Sequence, residues 1–306
     1  MKRLLITGVS GLLGINLALE AIGKGYQVIG WTNSRQLKNL PFEQEAHNLA
    51  ELSKVPGAVN KAQPDAIINC AAIANLDQAE KDPQAALTIN SAAPLVLAEQ
   101  AQRLGIPFVH ISTDSVFDGK KGNYRESDSP NPLNTYAKSK HSAEIGLSEN
   151  FSEALIARVV FYGWSIDGKR SLAEFFYNNL SQGKRVNGFT DSIFSPLYVR
   201  DLAGLLLEAM ENDLHGICHF FSQESLSKAD FGLAFAKRFG LDESLINRLE
   251  TKDGDLKTKR PLNLSMNTEL LQKALGHELP GVAEGLDHMY ADYEKGLPEQ
   301  LASYLS

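Results

Sequence analysis

The sequence predicts an α/β fold, a doubly wound parallel sheet with a smaller C-terminal lobe. Three observations carry this. The first 160 residues alternate short apolar runs with stretches at helical spacing; a glycine-rich turn joins the first run to the first helix; and the alternation weakens after residue 160.

In order, "RLLIT" (3–7) is an apolar run ended by glycine, the pattern of a buried parallel strand. In "GLLGINLALEAIGKG" (11–25), Leu13, Leu17 and Ala21 share a helix face, and glycines close the segment. "YQVIGW" (26–31) reads as a second strand, "HNLAELSKV" (47–55) as a short third strand running into a helix, and "DAIINCAA" (65–72) as a strong fourth strand. "PQAALTINSAAPLVLAEQAQRLG" (83–105) is a long helix closed by Gly105, and "PFVHIST" (107–113) a fifth strand. A polar loop rich in glycine and proline fills 118–134; "YAKSKHSAEIGLSEN" (136–150) is a helix and "ALIARVV" (154–160) a sixth strand. Beyond these, "SLAEFFYNNLSQG" (171–183) and "SKADFGLAFAKRFG" (227–240) are amphipathic helices, "SPLYVRDLAGLLLEAM" (195–210) is a loop entering a helix, and "GICHFF" (216–221) is a strand. No linker rich in Gly, Pro or Ser separates two freely moving units.

Bulk properties narrow the class. The 306 residues are 43% hydrophobic and 22% charged, as in soluble globular proteins, and the formal net charge of −7 argues against nucleic-acid or anionic-membrane partners. Two cysteines, Cys70 and Cys218, make neither a disulfide framework nor a zinc cluster and suit a reducing cytoplasm. The apolar run at the N-terminus breaks at Gly8, too soon for a signal segment or a membrane span.

"TGVSGLLG" (7–14) sets Gly8, Gly11 and Gly14 between a strand and a helix. The first allows the tight turn, the second lets a pyrophosphate approach the helix N-terminus, and the third lets helix and strand pack closely. Ser10, Leu12 and Leu13 of the same loop, with Cys70, Ala71 and Ala72 at the end of the fourth strand, are also assigned to the dinucleotide. The second strand ends in "GWTNSRQ", with no acid for a ribose 2′-hydroxyl. Asn33 and Ser34 can donate hydrogen bonds and Arg35 can pair with a 2′-phosphate, so NADPH is preferred, with NADH left open.

Tyr136 and Lys140 stand four apart on one helix face, with side chains leaning toward its N-terminus. A phenol near pKa 10 is a poor acid at neutrality; a nearby ammonium lowers that value toward the range of a general acid. Ser112 and Thr113, at the tip of the fifth strand, can hydrogen-bond a substrate oxygen. His110, His141, His215 and His219 lack metal-ligand spacing, no metal is expected, and structural roles suffice for them. Lys184, Arg185 and Arg260 are candidate cations for a diphosphate, and Asp114 for a sugar hydroxyl or a turn cap.

These motifs together resemble the extended branch of the short-chain dehydrogenase/reductase superfamily. Within it, "NCAAIANLDQAEKDPQAALTIN", "STDSVFDG", "YAKSKHSAE", "SPLYVRDLA" and "KRPLNLSMNTELLQKALG" resemble the dTDP-4-dehydrorhamnose reductase family. The resemblance implies that Tyr136 is the proton donor, that Lys140 holds the nicotinamide ribose and lowers the tyrosine pKa, that Thr113 orients the carbonyl, and that Asn90 lies near the active site. It further implies reduction of a nucleotide-linked 4-keto-sugar, with Asp114, Ser115, Arg185 and Arg260 toward the substrate. The family usually has Tyr where Ser115 stands, and a tryptophan in the stretch that here reads "RVVFYGW"; both departures leave the exact sugar open. Related dehydratases carry Thr-Asp-Glu where this chain has Thr113-Asp114-Ser115, so dehydration is not expected. Two other readings resemble the same motifs: a regulatory subunit like methionine adenosyltransferase beta, with bound NADP(H) structural, and a nucleotide-sugar epimerase. The expected division is an NAD(P)-binding domain over 1–160 with 190–222 returning to it, and a substrate lobe over 161–189 and 223–306. A homodimer is expected by resemblance alone.

Overall fold

The computed structural model describes residues 2–254 and 261–305. Six strands alternate with helices: β1 (Arg3–Thr7), α1 (Leu12–Gly23), β2 (Gln27–Thr32), β3 (Glu43–Ala46), α2 (Val55–Ala62), β4 (Ala66–Asn69), α3 (Leu76–Lys81), α4 (Pro83–Leu87), α5 (Ala93–Leu104), β5 (Phe108–Thr113), α6 (Thr135–Asn150) and β6 (Leu155–Val159). A later strand, Gly216–Phe220, pairs in parallel with β6 and completes a seven-stranded sheet. The order is Gly216–Phe220, β6, β5, β4, β1, β2, β3, and every pairing is parallel. Strand order reverses between β1 and β4, which opens a crevice at their carboxyl ends, where such sheets bind ligands.

The central strands are apolar because both faces are covered. Leu4, Ile6, Ile68, Val109 and Ala157 join one apolar cluster, while Leu5, Ile67, Phe108 and Ile156 join a second on the opposite face. The first cluster also takes in Leu286, Met289, Leu297 and Leu301 from the C-terminal helices Val282–Glu294 and Leu297–Ser303. Arg200, in the helix Val199–Glu211, bridges Glu20 of α1 at 3.1 Å and Asp292 at 2.9 Å.

The third strand departs from expectation. It is formed by "EQEA" (43–46), ahead of "HNLAELSKV", whose first half is loop and whose last residues enter α2. As an edge strand pairing only with β2, it needs no apolar pattern. The long helix 83–104 also departs: a π-helical turn, Thr88–Ala92, interrupts it. Pro94 has no N–H for the Asn90 carbonyl, so the regular ladder cannot pass through that turn. Beyond β6, short strands that no periodicity announced build small sheets: Val186–Phe189 beside Ile246–Leu249, and Ile193–Phe194 between Leu226–Ser227 and Asn263–Leu264.

Candidate active site

At the crevice, Gly8 turns the chain with φ +68°, and a Cβ there would lie 2.8 Å from the backbone of Ala71. A Cβ on Gly14 would lie 2.3 Å from the Gly8 carbonyl. Both positions therefore require glycine for packing alone. Gly11 caps α1 without a side-chain hydrogen bond, and the first turn of that helix holds no acidic residue. The first-turn N–H groups face a cleft of about 420 Å³ lined in part by Thr7, Gly8, Ser10, Gly11, Asn33 and Arg170. Cys70, Ala71 and Ala72 form part of the opposite wall. Leu12 and Leu13 turn their side chains into or against the core, so only their backbone can serve a ligand. Glycines at contact with the opposing backbone, a bare helix N-terminus and a roomy cleft fit a dinucleotide pyrophosphate.

At the cleft rim, Arg35 lies 3.6 Å from Asp167, and Arg170 contacts the same carboxylate at 2.9 Å. Arg170 also donates to the Ser10 carbonyl at 3.3 Å, so it touches the phosphate loop itself. Nothing in the motif pattern marks Arg170, because "DGKRS" lies 160 residues from the loop it meets. Ser34 is exposed.

β5 ends in Thr113, which caps the following turn by accepting from Ser115 N at 3.2 Å and donating to Asp114 Oδ1 at 3.0 Å. Ser115 donates to the same carboxylate oxygen at 3.1 Å. Burial pushes Asp114 up to about 6, against the hydroxyls of Thr113 and Ser115 and the charge of Lys228, which starts the helix Lys228–Phe239. Asn134 caps α6 by accepting from Ala137 N, and this fixes the turn that carries Tyr136. Burial raises the Tyr136 phenol to about 12; the Thr113 hydroxyl opposes the shift and the Asp114 charge adds to it. Thr113, Asp114 and Tyr136 are thus brought into one interacting group.

Lys140 occupies a different setting from the one expected. Its Nζ lies 2.9 Å from His110 Nε2, and both side chains are buried. His110 Nδ1 meets Asn69 Nδ2 at 3.0 Å, and Asn69 Oδ1 accepts from the Thr7 hydroxyl. Burial lowers Lys140 to about 7, against the charges of Glu144 and Cys70. The contact made by its Nζ is thus with His110 rather than with the Tyr136 phenol. His110, read from the sequence as structural, is the lysine's partner. A lone histidine inside a strand gives no sign of this.

Beneath the site, Glu144 of α6 accepts from Arg158 Nε and Nη2 at 2.9 and 2.8 Å and from Ser112 at 2.6 Å. Arg158 packs over the Phe117 ring and contacts His219 at 3.3 Å. Asn90 clamps Ile73 by accepting from its N–H at 2.8 Å and donating to its carbonyl at 3.1 Å, and it donates to Ser139 at 2.9 Å. The asparagine therefore joins the end of β4 to α6. Arg185 is exposed and donates to the Ser244 carbonyl at 3.4 Å, with no recorded partner in the Thr113–Tyr136 group. Arg260 lies outside the described residues. Among the described residues no cluster of His, Cys, Asp and Glu could hold a metal ion, and no helix is long and apolar enough to cross a membrane.

The RmlD substrate binding domain model matches residues 1–295. The chain belongs to that family. Its relatives include a dTDP-4-dehydrorhamnose reductase from Aggregatibacter actinomycetemcomitans, 31% identical over 90% of this chain and 94% of the relative. They also include methionine adenosyltransferase 2 subunit beta from Xenopus tropicalis, 31% identical over 93% and 87%. Among solved structures, the dTDP-4-dehydrorhamnose reductase from Bacillus anthracis, in complex with NADP, superposes with a TM-score of 0.85 at 25% identity, covering 95% of this chain and 99% of that one. The relatives thus include reductases and a methionine adenosyltransferase subunit, and the Rossmann-like sheet of the solved reductase is the one found here.

Proposed function

We propose that the chain is an NADPH-dependent reductase of a nucleotide-linked 4-keto-sugar. The observation that carries the reading is the Thr113–Tyr136 pair, a hydroxyl at the carboxyl end of β5 acting on a phenol of α6. Gly8, Ser10, Gly11 and the first-turn N–H groups of α1 would hold the pyrophosphate, with Cys70, Ala71 and Ala72 on the opposite wall. Asn33, Ser34, Arg35 and Arg170 would meet the ribose and its 2′-phosphate. When bound, the cofactor supplies a hydride. Thr113 turns its hydroxyl proton from Asp114 to the substrate carbonyl oxygen and fixes the position of that oxygen. Tyr136 gives its proton to that oxygen as it becomes a hydroxyl. Asp114 accepts from a sugar hydroxyl, and Lys228 faces it from the smaller lobe. Ser115, smaller than the tyrosine usual in the resembling family, leaves room beside the sugar.

The test is NADPH oxidation with a panel of dTDP-4-keto-sugars. Turnover with one or more supports the reading. Tight NADP binding without turnover on any, together with co-purification of a methionine adenosyltransferase, would replace it with the regulatory reading that the 31% identical beta subunit suggests.

A further inference from the structure

The chain of buried polar groups that ends at Lys140 has a direction, and that direction bears on the charge of Lys140. Four buried side chains lie in series: Thr7 at the end of β1, Asn69 at the end of β4, His110 on β5 and Lys140 on α6. Thr7 Oγ accepts from the Ala71 N–H at 3.3 Å, and its one hydroxyl proton goes to Asn69 Oδ1. That fixes the Asn69 amide, whose NH₂ must then donate to His110 Nδ1. A neutral imidazole carries one proton, so with Nδ1 accepting, the proton sits on Nε2 and points at Lys140 Nζ, 2.9 Å away. An ammonium cannot accept a hydrogen bond; an amine can.

We infer that His110 is a positioning residue held as its Nε2–H tautomer by Asn69 and Thr7, and that it holds Lys140 as an uncharged amine in the ligand-free protein. The alternative wiring is defined as well. Charging Lys140 takes one proton from solvent and leaves His110 neutral, with its proton on Nδ1. The Asn69 amide turns over, so that its oxygen accepts from Nδ1 and its NH₂ donates to Thr7. That arrangement leaves the Thr7 hydroxyl proton without an acceptor, whereas the first gives it Asn69 Oδ1. The groups facing Lys140 from its surroundings are His110 on β5, Cys70 beyond β4, and Tyr136 and Glu144 one turn to either side on α6. Of these, Glu144 is already engaged by Arg158 and Ser112. The neutral state agrees with the lowering of Lys140 by burial. Because Thr7 immediately precedes Gly8, the protonation of Lys140 is wired to the start of the phosphate loop. The inference concerns the free chain and does not rest on the reductase reading.

The test is nitrogen NMR of the ¹⁵N-histidine-labelled, ligand-free chain in mildly alkaline buffer. The His110 signals are assigned by their loss in His110→Gln or, if that variant does not fold, by their protection from solvent exchange. The expected result is a pyridine-like Nδ1 and a protonated Nε2. A protonated Nδ1 with a pyridine-like Nε2 would overturn the inference, because His110 would then accept from a Lys140 ammonium. Asn69→Asp supplies an independent arm, since a carboxylate only accepts. That variant is expected to swap the tautomer to Nδ1–H, and an unchanged tautomer would show that Asn69 does not set it.

Discussion

Arg158 and Glu144 meet through two nitrogen–oxygen contacts, at 2.9 and 2.8 Å, with both side chains only 1% exposed. This pair ties β6 to α6, the helix that carries Tyr136 and Lys140. Removing one partner leaves the other charge buried. Arg158→Met is expected to cost about 3–5 kcal/mol of stability, whereas the double replacement of Arg158 and Glu144 by apolar residues of similar volume recovers most of it. Urea denaturation of the single and double variants measures both.

The same carboxylate sets an acid limit. Burial alone would raise Glu144, but hydrogen bonds from His141, Arg158 and Ser112 and the Arg158 charge hold it down at about 2. Its pKa is therefore depressed on folding. The stability it contributes is present above the unfolded value of 4.5 and is lost as pH falls toward about 2. Melting temperature should drop across that window in the native chain, with a smaller drop in Glu144→Gln after allowance for that variant's lower overall stability.

Asp114 behaves in the opposite sense. With its folded pKa raised from 3.8 to about 6, it favours folding while protonated and opposes folding once ionised. Its contribution falls as pH rises between those values. Asp114→Asn keeps the acceptor for Thr113 and Ser115 and removes the charge, so it should stabilise the fold by about 1–3 kcal/mol at neutral pH and by much less near pH 4. Thermal melts at the two pH values check this. If Asp114 binds a sugar hydroxyl, the same variant raises KM.

The phosphate loop gives a steric prediction. Gly14→Ala places a methyl 2.3 Å from the Gly8 carbonyl, which is fixed backbone. The small gain in helix propensity cannot offset this. NADPH affinity, read by fluorescence titration, should fall at least tenfold, with the melting temperature lowered as well.

Much of the fold could be read in advance because the β1, β2, β4, β5 and β6 runs are apolar or branched and end at glycines or polar tips. The β3 strand could not, because "EQEA" lies at an edge where nothing demands an apolar face. The π turn around Asn90 follows from Pro94, a signal present in the sequence but overridden by the apparent continuity of the helix. Thr113, Asp114 and Tyr136 could be placed because strand-end and helix-face spacing determine where they point. The partnership of Lys140 with His110 could not, since it depends on the lateral order of β1, β4 and β5, which brings Thr7, Asn69 and His110 into one row. Arg170 and Lys228 reach the site from segments after β6, where short strands rather than periodicity set the path.

The most direct test of the account is the rate of NADPH oxidation with a dTDP-4-keto-sugar, measured for the native chain and for Tyr136→Phe. The account predicts turnover by the native chain and a loss of about 10²–10⁴-fold in kcat for the variant, with NADPH binding retained. Equal rates for the two proteins would contradict it.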